Sequence, residues 1–295
     1  MNNEISVGDR SKQKAIEWAT ATVSWGPARL ALKKGAHQAA RARGRAMERR
    51  GELPAIANIY TASTPKAGSQ WMRAVFNHPV VRAQTNLFTV PQLNYQDKPE
   101  RGLPLASYVP GLYVRYDEYR RIPHRHPHRV VYMFRDPRDV VVSGYFSAVK
   151  THQNTYNAYV EQVRDELRAM PFDEGLLKLI EEAAPRLQEI ATWAGIEDPN
   201  VEAFKLEEVS ADPEPHVRRM LAHCGVELSE ADLATLLADT SRESLQAKDL
   251  AKREAGAESH YRVDRKGYRD LFQPEHYAAV EKAVPGLVAQ LGYPD

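Results

Sequence analysis

The sequence predicts an α/β protein: a P-loop-containing central parallel sheet flanked by helices, with a basic helical extension at the N-terminus. Three observations carry that expectation. Short apolar, β-branched or aromatic runs alternate with helical stretches, the pattern of parallel strands joined by crossover helices. The first run leads through Ser63-Thr64-Pro65-Lys66-Ala67-Gly68-Ser69-Gln70-Trp71, a tight Lys/Gly/Ser turn opening a helix. Third, charge is uneven. The whole chain carries a net +1, yet Arg10 to Arg50 holds 11 Lys/Arg against Glu17 and Glu48.

The pattern changes near residue 52, which divides the chain into a basic helical segment, 1–52, and an α/β domain, 53–295. In the first, two helices are expected, interrupted at Gly26-Pro27 because proline ends or kinks a helix. In the second, strands are expected at 55–62, 112–116, 130–134 and 201–207. Helices are expected after Gly68, over 140–149, near 213–223 and 230–237, and over 274–291. Segments 80–109 and 151–197 read as irregular, fit to be lids or substrate walls.

Composition narrows the class. With 43% hydrophobic and 27% charged residues, the chain is neither fibrous nor wholly disordered. Its apolar runs, such as 130–134, fall far short of the roughly 20 residues needed to span a bilayer. Residues 1–10 lack the apolar core of a secretory signal, and one cysteine, Cys224, cannot form an intrachain disulfide. A cytoplasmic protein is expected. The basic N-terminal helices could pack on the domain or touch an anionic membrane surface. No base-reading motif accompanies them, so no nucleic-acid partner is expected.

Three segments have the chemistry of anion binding. At Lys66–Trp71, helix-opening N–H groups and an ammonium converge on one anion, although the Walker pattern G-x-x-x-x-G-K-[ST] is absent. In Arg135-Asp136-Pro137-Arg138-Asp139-Val140-Val141-Val142-Ser143, a guanidinium ends a strand and a hydroxyl sits two turns into the next helix. Together they can clasp a phosphate. In Arg265-Lys266-Gly267, glycine lets the backbone come close to a ligand. The run His124, His126, His128 could bind a metal on one face of a strand, but Pro123 and Pro127 make it read as a basic loop.

These segments resemble the sulfotransferases that use 3′-phosphoadenosine 5′-phosphosulfate (PAPS). The P-K-S-G-T-T-W loop of that family is matched by Pro65–Trp71, and its R-N-P-K-D-V-x-V-S segment by Arg135–Ser143. Its R-K-G is identical at Arg265–Gly267, and Leu206–Pro213 and Thr240-Ser241 resemble its Y-E-D-L-x-x-x-P and T-S-F pieces. The resemblance implies an enzyme that moves a sulfuryl group from PAPS to a hydroxyl or amine of a small-molecule, lipid or glycosylated acceptor, without metal. It implies that Lys66, with Ala67, Gly68, Ser69 and Gln70, binds the 5′-phosphate and bridging oxygen. Arg135, Ser143, Arg265, Lys266 and Gly267 would bind the 3′-phosphate, and Trp71, Leu206, Thr240 and Arg242 would surround adenine. Leu206 and Arg242 stand where the family has aromatic residues. Two other readings stay open: a PAPS- or PAP-binding protein without transfer activity, and a P-loop kinase, which would need Mg²⁺.

Many members carry K-T-H ahead of the second segment, the histidine acting as base. Counting back from Pro123 places Tyr116 at the histidine position, with Asp117 and Glu118 following. If that stretch is extended, Tyr116 and Glu118 share a side, and Glu118 is the better proton acceptor because a carboxylate is already ionised at pH 7. Tyr95, Tyr108, Tyr113, Tyr119, Tyr145 and Phe146 suggest an aromatic-walled acceptor cleft.

Overall fold

The computed structural model describes residues 26–92, 102–151, 158–251, 259, 261 and 266–294. By packing, these fall into two compact units: one with the described residues up to Ser63, Gly68–Phe134 and Glu197–Leu237, the other with Thr64–Ala67, Arg135–Ile196 and the described residues from Ala238 onward.

The first unit is built on five parallel strands: β1 (Asn58–Ser63), β2 (Phe88–Thr89), β3 (Ser107–Leu112), β4 (His128–Phe134) and β5 (Val201–Lys205), in the order β2-β3-β1-β4-β5. Parallel strands need crossover connections, which cover the faces of the sheet with helices, so the central strands are buried on both sides. Every residue of β1 is buried. Even Asn58 stays in the interior, because its amide donates to the carbonyl oxygens of Pro104 (2.7 Å) and Ser107 (3.2 Å). The helices of this unit are α1 (Gly26–Arg50), α2 (Ser69–Asn77), α3 (Pro79–Thr85) and α4 (Tyr116–Arg120), then, after the next unit's elements, α8 (Leu206–Ala211), α9 (Pro213–His223) and α10 (Glu230–Asp239). Met72 and Phe76 of α2 share one core with Val131 and Met133 of β4, Phe204 of β5 and Leu221 of α9.

The basic helix α1 is fixed to this unit by its own polar side chains. His37 hydrogen-bonds the Pro91 carbonyl (2.7 Å), Arg41 donates to Gly102 O (2.8 Å), and Arg43 donates to Ala106 O and Asn86 O (3.2 Å each). Gly44 is required for the fit: a Cβ there would lie 2.6 Å from Leu105 O. The helix starts at Gly26, with Pro27 in its first turn, where a missing N–H costs nothing. The helix expected before it lies outside the described residues.

The second unit contains α5 (Pro137–Phe146), a π-helical turn (Ser147–Thr151), α6 (Ala158–Ala169), α7 (Phe172–Ala191), α11 (Arg242–Leu250), α12 (Tyr268–Leu271), α13 (Pro274–Ala283) and α14 (Leu287–Gln290). His276, fully buried on α13, accepts from Gln273 N (2.8 Å) and meets the Asp173 carbonyl (3.1 Å), fastening α13 to the start of α7.

Several expected boundaries move. The strand expected at 112–116 is β3, which ends at Leu112, and Tyr116 opens a helix instead. Pro110 and Gly111 are accommodated in β3 by a β-bulge. The segment 151–197 is not irregular: α6 and α7 fill most of it, and α7 continues through Pro185. The segment 80–109 holds α3, β2 and the start of β3. The last helix divides at Pro285-Gly286, where Gly286 is left-handed, and β5 ends at Lys205 rather than 207. Tyr108, Tyr119 and Tyr145 are buried packing residues rather than cleft walls, and Tyr95 lies outside the described residues. Among the described residues, no helix is long and apolar enough to cross a membrane.

Candidate active site

The chain leaves β1 into a loop whose backbone is unusual. Lys66 has a left-handed φ of +73° and Gly68 one of +81°, while Ala67 N donates to Thr64 O (3.3 Å). Left-handed residues spaced in this way are a backbone pattern also found in anion-binding loops. Gly68 is the N-cap of α2 and supplies no side-chain cap, so the first N–H groups of that helix have no capping side chain. A side chain at Gly68 is also excluded sterically, since its Cβ would stand 2.8 Å from a Leu206 methyl. The Ser63 and Thr64 hydroxyls are buried without a hydrogen-bond partner among the described residues.

Within the second unit, the Lys66 ammonium donates to Ser147 Oγ (2.5 Å), on the π-helical turn. Burial is the main reason its pKa falls to about 8, and the nearby Arg135 guanidinium pushes in the same direction. Arg135 follows β4 directly. It donates to Lys66 O (3.4 Å) and pairs with Asp139 (3.6 Å) one turn along α5. Asp139 also accepts from Tyr268 N (3.1 Å), which ties the start of α12 to α5. Gly267 permits that approach, because a Cβ there would lie 2.9 Å from Asp139 Oδ1. Ser143 is half-buried on α5, and Lys266 is exposed. Arg265 lies outside the described residues.

The neighbouring Arg138 has a different task. Its guanidinium makes two bonds to Asp136, at 3.0 and 2.8 Å, donates to Pro294 O (2.6 Å) and lies 4.1 Å from the centre of the Tyr268 ring. Asp136 meanwhile caps α5 by accepting from Arg138 N (2.9 Å). This buried, satisfied pair holds the helix that carries Ser143 and leads into the turn carrying Ser147.

In the first unit, Ser69 opens α2 and accepts a hydrogen bond from the Tyr113 phenol (2.9 Å). Gln70 is exposed, and Trp71 packs partly against the core. Leu206, the first residue of α8, covers Gly68. In the second unit, Thr240 is buried, Arg242 is exposed, and Ser241 caps α11 by accepting from Ser244 N (3.2 Å).

The stretch 116–118 differs from the extended geometry expected of it. It forms the first turn of α4, and each side chain has a local partner. Tyr116 donates to Asp198 Oδ2 (3.1 Å), Asp117 pairs with Arg115 Nε (3.0 Å), and Glu118 accepts from Arg115 N (2.8 Å) as the capping carboxylate of the helix. Burial first, then Asp198, raises the Tyr116 pKa, which keeps its phenol protonated.

The three histidines are not gathered on one strand face. His124 stacks on His128 at 3.9 Å, whereas His126 reaches Glu48 (2.7 Å). Burial, with the neighbouring His128, lowers His124 to about 4. No group of three His, Cys, Asp or Glu able to hold a metal occurs among the described residues. Cys224 is buried at the end of α9, and burial raises its thiol pKa.

Three participants were not singled out by sequence reasoning. Ser147 lies one helical turn beyond Ser143, a spacing that could have pointed to it. Asp139 stands inside the Arg135–Ser143 motif, and Tyr113 was legible only as an aromatic residue.

The sequence model of the family described as "Sulfotransferase domain" matches residues 57–292. Among solved structures, a mouse sulfotransferase complexed with PAP aligns with a TM-score of 0.49 and 15% identity, covering 82% of this chain and 91% of that one. A retinol dehydratase in complex with retinol and PAP aligns with a TM-score of 0.48 and 18% identity, covering 79% and 81%. A sulfotransferase domain from a Synechococcus olefin synthase gives a TM-score of 0.42 and 12% identity, covering 81% and 96%. A comparison with curated proteins gave no match.

Proposed function

The chain belongs to the sulfotransferase family, and from that premise we propose that it moves a sulfuryl group from PAPS to a hydroxyl or amine of a small-molecule acceptor. The observation that carries the reading is a half-buried ammonium held near a like charge. Lys66 is hydrogen-bonded to a neutral serine, its pKa is lowered by burial and by Arg135, and the loop around it carries two left-handed residues. Two cations held this way favour a ligand with more than one negative charge. The orphaned hydroxyls of Ser63 and Thr64, and the closeness that Gly68 and Gly267 allow, fit a phosphate-bearing nucleotide.

PAPS supplies an activated sulfuryl group whose bridging oxygen leaves on PAP. The acceptor oxygen or nitrogen forms a bond to sulfur as the sulfur–bridging-oxygen bond breaks, and the acceptor's proton passes to water. Lys66, mostly protonated at neutral pH, stabilises charge growing on that oxygen, so it lowers the barrier more than it tightens ground-state binding. The start of α2, with Ala67, Gly68, Ser69 and Gln70, holds the 5′-phosphate. Arg135, Ser143, Arg265, Lys266 and Gly267 hold the 3′-phosphate, and Trp71, Leu206, Thr240 and Arg242 bound the adenine. For Tyr116, Asp117 and Glu118, the local partners favour structural work over proton transfer. Glu118 closes a helix, and a phenol with a raised pKa is a poor base.

The test is PAP formation from PAPS by the full chain with a panel of phenols, alcohols and amines. Acceptor-dependent PAP release supports the proposal. Tight PAP binding with no release for any acceptor identifies a nucleotide-binding protein instead.

A further inference from the structure

Tyr113 owes its position to an irregularity in the sheet. Along β1 and β3, Tyr60 faces Val109 and Ala62 faces Leu112, so Thr61 alone opposes Pro110 and Gly111. The bulge is stabilised from both sides. Gly111, left-handed at φ +63°, donates its N–H to Thr61 Oγ1 (3.2 Å), and its carbonyl accepts from Gln92 (3.2 Å). Pro110, which lacks an N–H, is tolerated in a bulge as it would not be in a regular ladder. One inserted residue exchanges the two faces of everything after it. Tyr113, the residue after β3, therefore comes level with the end of β1, and its phenol meets Ser69 at the head of α2.

The chemistry of that contact is directional. A phenol is the stronger acid of the two hydroxyls and donates. Serine has one O–H and two lone pairs, so a serine that accepts from tyrosine keeps its own proton for another partner. Resting on the PAPS reading, we propose that Tyr113 is a positioning residue for the nucleotide. It fixes the Ser69 hydroxyl as a donor to the 5′-phosphate and strengthens that donation by polarising it. Tyr113 acts through Ser69.

The experiment is a double-mutant cycle on PAP affinity, measured by calorimetry with wild type, Tyr113→Phe, Ser69→Ala and the double variant, with thermal unfolding followed in parallel. Phenylalanine keeps the ring and removes only the donor. Tyr113→Phe is expected to weaken PAP binding about fivefold in wild type, the size of one ordinary hydrogen bond. It is expected to change nothing in the Ser69→Ala background, where no hydroxyl is left to orient. An equal effect in both backgrounds, or none in either, overturns the inference while leaving the PAPS reading intact. Absence of PAP binding by folded wild type overturns that reading, and this inference falls with it.

Discussion

Two segments follow strands of the same sheet and treat their polar groups in opposite ways. After β1, Lys66 is half-buried beside a serine and near a second cation, the loop adopts left-handed conformations, and α2 begins without a capping side chain. After β3, the 116–118 side chains are each matched: Glu118 caps its helix, Asp117 pairs with Arg115, and Tyr116 binds Asp198. Left-handed backbone, uncapped N–H groups and converging like charges all cost stability, and a bound anion offsets the last two. A segment that satisfies itself gains nothing from a ligand. Unmet local chemistry, more than residue type, therefore marks the functional segment.

Lys66→Ala should give the largest effect, lowering the transfer rate at saturating PAPS by about 10²–10³-fold while weakening PAP binding much less. Pre-steady-state kinetics together with PAP titration separate the two quantities. Equal losses would mean that Lys66 serves binding alone.

Arg135→Ala should come next, raising the donor KM by about tenfold or more, because a charge-assisted partner of phosphate is lost. It should also erase discrimination between PAPS and adenosine 5′-phosphosulfate, read from kcat/KM for each. Intact discrimination would assign the 3′-phosphate elsewhere.

The self-satisfied segment should respond least. Tyr116→Phe and Glu118→Gln should leave single-turnover transfer within about threefold of wild type. Glu118→Gln should lower thermal stability only slightly, since the amide oxygen can still accept from Arg115 N and only the negative charge at the N-terminus of α4 is lost, a contribution of about 0.3–1 kcal/mol. A hundredfold loss of transfer in either variant would erase the contrast between the segments.

Much of this contrast was legible in the sequence, and the rest was hidden for physical reasons. β4 and α9 were found almost as they are, because an unbroken apolar run bounded by charge, and a proline-led amphipathic stretch, announce themselves. The Lys66 loop and Arg135 were found because their residue types and spacing are specific. α7 was missed: Leu176, Ile180, Leu187 and Ile190 are its buried stripe, but Pro185 obscures the period. The stretch 116–118 was assigned by counting along an assumed extended chain. A bulge in β3 and the short helix α4 both break that count, and the phenol that reaches the loop is Tyr113. No sequence period reveals a bulge whose justification is a hydrogen bond to Thr61, 50 residues earlier in the chain.

The central claim is that Lys66 is an ammonium depressed by burial and by Arg135, whose natural partner is the nucleotide phosphate. Proton uptake on PAP binding tests it directly. In the free protein a pKa of about 8 leaves Lys66 largely neutral at pH 9 and charged at pH 7. A phosphate beside it favours the charged form, so binding must return a proton at pH 9 but not at pH 7. Calorimetric titration of PAP in buffers of different ionisation enthalpy should therefore show uptake approaching one proton at pH 9 and near zero at pH 7. The uptake should vanish in Lys66→Arg, whose guanidinium stays charged throughout. Equal uptake at both pH values, or uptake that survives in Lys66→Arg, would contradict the account.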